Sequence, residues 1–215
     1  MADDVDPDWL TAGDADHTDP ADVAAYYDQW AAAYNADIDA WDYRAPLRAA
    51  ALLTEHAGDV SLAIDAGCGT GLGGIALRGA GYAGELHGVD ISQASLDLAR
   101  ESGAYQQLSI GNLQEPLAIA DDTYDALLCV GVMTYVPQVR ECWTEFCRIV
   151  KPGGVIVVTQ REDHWRDRDC QQITDDLAAA GRWSPLEVSD AEPYLPDSPS
   201  DLAAYGVHYV AARVG

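Results

Sequence analysis

The spacing of apolar residues changes once along the chain, from a helical repeat to short strands that alternate with helices. From Pro20 onward, apolar and aromatic residues recur every three or four positions, which predicts a helix. A second helix is predicted after Pro46 and ends before Gly58. Residues 1–19 are rich in Asp, with Gly and Pro and no sustained apolar repeat, so we predict an acidic disordered tail there. The residues that define the first helix are Val23, Tyr26, Tyr27, Trp30 and Tyr34.

Beyond Gly58, short apolar runs alternate with helical segments. Five strands are predicted at 60–66, 85–89, 107–110, 124–130 and 155–159. Such alternation predicts a Rossmann-like, doubly wound parallel sheet in an α-β-α sandwich, with the C-terminal ends of its strands along one edge. Helices are predicted between the strands and again over 175–180, followed by extended segments at 183–188 and 205–214.

The last two extended segments suggest a hairpin, which would add an antiparallel C-terminal strand to a mostly parallel sheet. The predicted organisation is one domain over 20–215. Residues 20–57 form N-terminal helices that serve as a lid, and residues 58–215 form the Rossmann-like core.

A glycine-rich loop, Asp65-Ala66-Gly67-Cys68-Gly69-Thr70-Gly71, follows the first strand and begins a helix. Glycine permits positive φ and lets a ligand lie against the main chain. Gly69, Gly71 and Gly74 also satisfy the dinucleotide fingerprint, so a nicotinamide-dependent oxidoreductase is one alternative. That fingerprint holds a pyrophosphate at a helix N-terminus, which Asp65 would repel. An acid before the glycines suits a cationic ligand instead.

Two further strand ends carry polar residues that suit a nucleoside. Asp90 follows the second strand, where a carboxylate can accept hydrogen bonds from both ribose hydroxyls; a helix cap is the alternative role. Asn112 and Leu113 follow the third strand, where a side chain and a main-chain N–H could contact the edge of an adenine.

Motifs later in the chain distinguish between the two candidate cofactors, a nicotinamide dinucleotide and S-adenosylmethionine. Asp122 to Val130 and the run Lys151-Pro152-Gly153-Gly154 follow the glycine loop and Asp90 in order. With these motifs, residues 21–160 resemble the class I S-adenosylmethionine-dependent methyltransferases. Two N-terminal segments are most similar to the methyltransferase-like protein 27 group: Tyr27-Asp28-Gln29-Trp30-Ala31 and Tyr43-Arg44-Ala45-Pro46.

The resemblance implies S-adenosylmethionine as cofactor. It implies that Asp65, Gly67 and Gly69 bind the methionine end of the cofactor and that Asp90 binds its ribose. Asn112 would contact the adenine, at a position where the family more often has Asp. Tyrosines of the first helices would cover the cofactor, although core packing is the alternative for each. The expected cofactor-binding residues are Tyr27, Tyr34, Tyr43, Asp65, Gly67, Cys68, Gly69, Gly71, Asp90, Ile91, Asn112, Leu113 and Val130.

Methyl transfer is an in-line displacement, so the protein mainly positions the acceptor and excludes water. No catalytic triad is required. Tyr135 could face the acceptor, and His164 could act as a general base; the alternative for His164 is a surface histidine. No Asn/Asp-Pro-Pro-Tyr motif follows the fourth strand, where Val130-Gly131-Val132-Met133 stands, which argues against methylation of adenine, cytosine or glutamine amides.

The composition restricts the kinds of partner that the protein is expected to bind. Asp plus Glu number 36 against 12 Lys plus Arg, giving a net charge of -24, which would repel phosphate backbones, so we expect no nucleic-acid partner. Adaptation to high salt and a merely acidic surface are both compatible with this charge. No apolar run approaches the roughly 18 residues of a membrane span, and the acidic N-terminus does not resemble a secretory signal, so we expect a cytoplasmic protein.

Five cysteines without a CxxC pair or a histidine cluster argue against a disulfide framework and against a metal site. The expected function is therefore an S-adenosylmethionine-dependent methyltransferase that acts on oxygen, nitrogen or sulfur of a small molecule, as a monomer or homodimer. A non-catalytic S-adenosylmethionine-binding module is the remaining alternative.

Overall fold

The computed structural model describes residues 18–215, beginning with the two helices expected from the sequence. Helix α1 (Pro20–Ala40) starts where the Asp19 carboxylate accepts the N–H of Ala21 at 2.9 Å, with proline at the first helical position. Helix α2 (Ala45–Ala57) ends at Gly58, whose φ is +65°. Most of the predicted tail, residues 1–17, lies outside the described residues.

The remaining elements form a sheet flanked by helices. In chain order they are β1 (Leu62–Ala66), α3 (Leu72–Gly79), β2 (Glu85–Asp90), α4 (Gln93–Glu101), β3 (Gln107–Ile110), β4 (Tyr124–Cys129), α5 (Val139–Ile149), β5 (Val150–Arg161), α6 (Glu162–Asp167), α7 (Cys170–Ala179), β6 (Trp183–Val188), β7 (Glu192–Pro193) and β8 (Gly206–Val214). Two single 3-10 turns lie at Met133–Tyr135 and Asp201–Ala204. Within residues 18–215, no helix has the length and apolar character that a bilayer crossing requires.

The sheet order is β3-β2-β1-β4-β5-β8-β6, with β7 paired to β8. The pairs among β1 to β5 are parallel, whereas β8 runs antiparallel to both β5 and β6. This confirms the predicted Rossmann-like sheet with an antiparallel C-terminal strand. The parallel strands place the glycine loop, Asp90 and the turn after β4 along one edge.

Several boundaries differ from the predicted ones. Strand β1 begins at Leu62, β5 extends over Val150–Arg161, and α7 starts at Cys170. Helix α6 was not predicted, because its six residues, Glu-Asp-His-Trp-Arg-Asp, are too few and too polar to show a helical repeat. The extension of β5 matters for function, because it carries the strand to Arg161.

Alternate residues of the central strands supply two buried cores. Ile64, Leu127 and Ile156 face a core that contains Trp143 and Phe146. Their neighbours in sequence, which include Ala63, Leu128 and Val157, face a core with Leu52 and Leu77 on the opposite side of the sheet. A third cluster, Trp30, Ile38, Leu195 and Leu202, lies beneath α1. Helix α1 therefore packs on an aromatic layer separate from both cores.

Candidate functional site

The glycine loop turns sharply at the end of β1. Gly67, Gly69 and Gly71 have φ values of +76°, +51° and +99°. The N–H groups of Gly67 and Cys68 donate to the carbonyl of Val89 at 2.7 and 3.0 Å, which joins the loop to the end of β2. A Cβ at Gly67 would lie 2.2 Å from a Val132 methyl carbon, so this position requires glycine for close approach as well as for φ.

Asp90 links this loop to helix α4. One carboxylate oxygen accepts the N–H of Gly69 at 2.7 Å, and the other accepts the N–H of Ser92 at 2.9 Å. Ser92 itself is the α4 N-cap, because its hydroxyl accepts the N–H of Ser95. Burial raises the pKa of Asp90 above its ordinary value, although these hydrogen bonds oppose the shift. The helix cap therefore falls to Ser92, and Asp90 faces the space above the loop.

Three neighbouring cavities adjoin this edge of the sheet. The main cavity, about 720 Å³, lies between the glycine loop, Asp90, residues 111–114 and the turn after β4. The loop cavity, about 340 Å³, shares Tyr34, Gly67 and Gly69 with it and reaches Asp65. The aromatic cavity, about 350 Å³, shares Tyr27, Tyr34 and Tyr135 with the main cavity and extends to Arg161 and Tyr194. They therefore lie side by side along one edge of the sheet, and concave regions of this kind are where small molecules bind.

Asp65 is the buried acid of the loop cavity, with only 1% of its surface exposed. Its carboxylate accepts the Tyr105 hydroxyl at 2.7 Å, and that hydroxyl accepts the N–H of Gly74 at 2.9 Å. Burial raises the pKa of Asp65 to about 7, the Tyr105 hydrogen bond partly offsets this shift, and the nearby Asp90 charge adds to it. Its charge therefore changes near neutral pH.

The structure brings most of the expected cofactor-binding residues together. The main cavity is lined by Tyr27, Tyr34, Gly67, Gly69, Asp90, Ile91, Asn112, Leu113 and Val130, and the loop cavity adds Tyr43, Asp65 and Cys68. Gly71 is placed differently: it is the N-cap of α3, and a Cβ there would lie 3.2 Å from both Ala99 and Tyr105. Asn112 uses its side-chain oxygen to accept the N–H of Gln114 at 3.0 Å.

Helix α1 is fastened over the main cavity by polar contacts. The Asp28 carboxylate accepts the Ser92 hydroxyl at 2.6 Å and the N–H of Ala94 at 3.1 Å. The Thr70 hydroxyl donates to the Asn35 side chain at 2.5 Å. Sequence reasoning did not assign these contacts, because they join residues far apart in the chain.

Tyr135 lies where the main and aromatic cavities meet, and its hydroxyl accepts that of Tyr27 at 3.1 Å. Hydrogen bonds to backbone carbonyls hold the 3-10 turn that contains Tyr135. Arg168 donates to the carbonyls of Met133 and Thr134 at 2.7 and 2.8 Å, and Gln114 donates to the carbonyl of Tyr135 at 3.0 Å. Burial raises the pKa of Tyr27 and Tyr135 above the ordinary value. Both hydroxyls therefore stay protonated near neutral pH.

His164 is buried, with 6% of its surface exposed, so the alternative of a surface histidine was wrong. It follows β5 within the short helix α6, and its Nε2 lies 3.2 Å from a terminal nitrogen of Arg161. Burial, followed by the charge of Arg168, lowers its pKa to about 4. His164 is thus neutral. It contacts Arg161 and is not among the residues that line the three cavities.

Sequence reasoning missed Arg161 and Tyr194, which line the aromatic cavity. The predicted fifth strand ended two residues before Arg161, and Tyr194 lies in a proline-rich segment without a regular pattern. An arginine at the end of a buried strand was the available signal, because such a residue needs a partner or a site.

Comparison with known proteins gives three consistent findings. A methyltransferase domain family matches residues 64–158. Human methyltransferase-like protein 27 is 36% identical over 178 residues, covering 78% of this chain and 71% of that protein. A ubiquinone biosynthesis O-methyltransferase of Alkalilimnicola ehrlichii is 36% identical over 104 residues, covering 44% of this chain but only 39% of the relative.

Among solved structures, geranyl diphosphate C-methyltransferase from Streptomyces coelicolor, determined with Mg²⁺, geranyl diphosphate and S-adenosylhomocysteine, superimposes with a TM-score of 0.61 at 18% identity. The match covers 77% of this chain and 78% of that one. At this identity the likeness concerns the fold.

Proposed function

Because the chain belongs to the S-adenosylmethionine-dependent methyltransferase family, we propose that it methylates a small-molecule acceptor at an oxygen, nitrogen or sulfur atom. The class of enzyme and its cofactor follow from the family. The kind of acceptor is the proposal, and the enclosed aromatic cavity beside the main cavity carries it.

The residues present fit the cofactor. The position of the Asp90 carboxylate at the end of β2 supports its role in holding the ribose. The open side of Gly69, where a Cβ would meet nothing within 4 Å, leaves room against the main chain. Because Asp65 lines the loop cavity, it supports the proposed binding of the ammonium group there. S-adenosylmethionine supplies a methyl group on a positively charged sulfur, so the task of the chain is to orient the acceptor and exclude water.

The aromatic cavity supports a small acceptor, because side chains from several segments of the chain line it. Tyr27 and Tyr34 of α1 cover it from one side, Tyr135 borders it, and Tyr194 and Leu195 come from the segment before β8. The net charge of -24 disfavours a nucleic-acid acceptor. We keep the cytoplasmic location and the monomeric or dimeric state as predictions.

Methyl transfer to a cell extract tests the size of the acceptor. The protein and S-adenosylmethionine with a tritiated methyl group are incubated with the extract, and the label is then separated by ultrafiltration. We expect time-dependent label in the small-molecule fraction and formation of S-adenosylhomocysteine. Label confined to protein or nucleic acid would contradict the proposal.

Two controls address the alternatives. Calorimetric titration with S-adenosylhomocysteine and with NAD⁺ should show binding of the first alone, which separates this function from an oxidoreductase. If the protein binds the cofactor but transfers no label to small molecules or to macromolecules in several extracts, a non-catalytic binding module would be favoured.

A further inference from the structure

The aromatic cavity combines ring faces with one buried cation. Its rings belong to Tyr27, Trp30, Tyr34, Tyr135 and Tyr194. Among the described residues that line the three cavities, Arg161 is the only Arg, Lys or His. Arg161 is 3% exposed, so this cation is buried beside the cavity. Charged side chains are rarely buried without a partner, and strongly perturbed ones often lie at functional sites, so the partners of Arg161 and its place beside the cavity matter.

The surroundings of Arg161 keep it charged and fixed. Its Nε and one terminal nitrogen each donate to the Asp163 carboxylate at 2.8 Å, in a bidentate pair. Its guanidinium also lies 4.8 Å from the ring centre of Tyr205. Although burial opposes the charge, Asp163 holds the pKa of Arg161 above its ordinary value. The guanidinium is therefore permanently charged and fixed in orientation, and Arg161 lines the cavity.

The same cavity offers no proton acceptor. The pKa of Tyr27, Tyr34, Tyr135 and Tyr194 is raised, chiefly by burial, so these hydroxyls remain protonated. His164 faces Arg161 and has a pKa near 4. Among the described residues of the aromatic cavity, none would remove a proton from a neutral acceptor near pH 7.

We propose that the aromatic cavity binds a planar acceptor carrying an anionic oxygen, either a carboxylate or an acidic phenol. The proposal rests on the small-molecule function above and names the class of acceptor for the same site. An acceptor that arrives as an anion needs no base, and its charge matches Arg161. The rings suit a flat molecule, because aromatic pairs favour offset and edge-to-face contact.

The transfer step balances without a proton. An anionic oxygen of the acceptor forms the O–C bond with the methyl carbon, and the electron pair of the broken C–S bond stays on sulfur. One negative and one positive charge disappear, leaving a neutral methyl ester or ether. Water that the bound acceptor displaces no longer screens the two charges, which strengthens their attraction before they react. A cationic amine would instead be repelled by Arg161.

Binding of three isosteric probes tests the charge preference. Protein saturated with S-adenosylhomocysteine is titrated with 2-naphthoate, 2-naphthamide and 2-naphthylmethylamine. We expect the anion to bind at least about tenfold more tightly than the amide, as for a charge-assisted contact, and the amine most weakly. Equal affinities, or tightest binding of the amide or amine, would overturn the proposal.

Variants assign the preference to Arg161. Arg161→Met should abolish it, and Arg161→Met/Asp163→Asn, which leaves no unpaired acid, should do the same. The control is Arg166→Met, an exposed arginine of α6, which should keep the full preference. Unchanged S-adenosylhomocysteine affinity in each variant shows that the fold is intact. A preference that survives in the double variant would contradict the proposal.

Product analysis separates this inference from the broader function. With tritiated S-adenosylmethionine and an extract, the inference predicts a labelled neutral ester or ether that forms from an acidic compound. Labelled small amines or thioethers would overturn the inference but leave the small-molecule function intact. Label in macromolecules alone would overturn both.

Discussion

The two halves of the site are built in different ways. The cofactor half is built mainly from the stretch between Asp65 and Leu113, to which α1 and the turn after β4 add a few side chains. Within that stretch, backbone N–H groups and the Asp90 carboxylate join adjoining strand ends. The acceptor half gathers side chains from α1, the turn after β4, the end of β5 and the segment before β8. The first half follows from the topology of the sheet. The second depends on packing among segments that lie far apart in the chain.

The strongest test of the cofactor half is Asp90→Ala. If the carboxylate accepts two charge-assisted hydrogen bonds from the ribose, its loss should cost about 2 to 4 kcal/mol, or roughly 30- to 1000-fold in affinity. The affinity for S-adenosylhomocysteine is measured by calorimetry.

The matched control is Asp97→Ala, which removes an exposed carboxylate from α4 and should leave affinity unchanged. Because Asp90 also holds the N–H groups of Gly69 and Ser92, the thermal midpoint of each variant is recorded as well. Wild-type affinity in Asp90→Ala would exclude Asp90 as the ribose ligand.

The contact between the two halves is tested at Gly67. Both Gly67 and Gly69 have positive φ, so either change to Ala should cost about 1 to 2 kcal/mol of unfolding free energy. Only at Gly67 does the new methyl meet Val132, 2.2 Å away, which should add about 1 to 3 kcal/mol of overpacking.

Urea unfolding without cofactor measures both variants. Gly67→Ala/Val132→Ala should recover part of the extra loss, as a double-mutant cycle would show. Equal stability of the Gly67 and Gly69 variants would mean that the loop and the turn after β4 do not meet as described.

The contrast between the halves also explains what the sequence could predict. The glycine loop, Asp90 and Asn112 were identifiable because each follows an apolar strand, and parallel strands bring their ends to one edge. The strands β3 and β6 were predicted with their observed bounds because each is a short apolar or extended run bordered by turns.

The acceptor half could not be predicted in this way. Tyr194 and Arg161 belong to segments where no periodic pattern marks a function, and their meeting with Tyr27 depends on how α1 lies on the fold. The contacts of Asn35 with Thr70, and of Asp28 with Ser92, are likewise tertiary. Tyr135 was singled out because it follows β4, and its approach to Tyr27 required the structure.

A smaller effect is expected from pH on the cofactor half. The raised pKa of Asp65, about 7, leaves the carboxyl largely neutral below that pH, whereas a cationic ammonium needs the carboxylate. Affinity for S-adenosylmethionine should therefore fall roughly tenfold between pH 7.5 and pH 6, about one decade per unit below the pKa. Calorimetry across this range measures it.

Tyr105→Phe sharpens the assignment. Its hydroxyl donates to Asp65 and favours the ionised form, so its loss should raise the pKa and move the inflection to higher pH. Tyr82→Phe, whose hydroxyl donates to the Glu85 carbonyl away from the loop, is the control. Asp65→Asn should weaken binding and flatten the pH dependence; a retained inflection in that variant would assign the titration to another group.

The smallest expected effect concerns α1, which spans the two halves and which we predict to be a lid. Its attachment to the cofactor half rests on a few polar contacts, among them Asp28 at the start of α4 and Asn35 at Thr70. Such a helix opens at lower cost than the strands of the core. A bound cofactor would add contacts beneath Tyr27 and Tyr34, so residues 20–44 should exchange amide hydrogens more slowly with S-adenosylhomocysteine present.

Asp28→Ala isolates the contribution of that attachment. It removes both contacts with α4, so exchange over residues 20–44 of the free protein should quicken several-fold, in line with the roughly 1 kcal/mol of a surface hydrogen bond. Gln29→Ala, the exposed neighbour on the same helix, should exchange like the wild type. Because the cofactor must close a looser helix, its affinity should fall by a similar factor. If the segment is equally protected with and without cofactor in all three proteins, α1 is a fixed part of the fold, and Tyr27 and Tyr34 then shape the acceptor half permanently instead of closing over it.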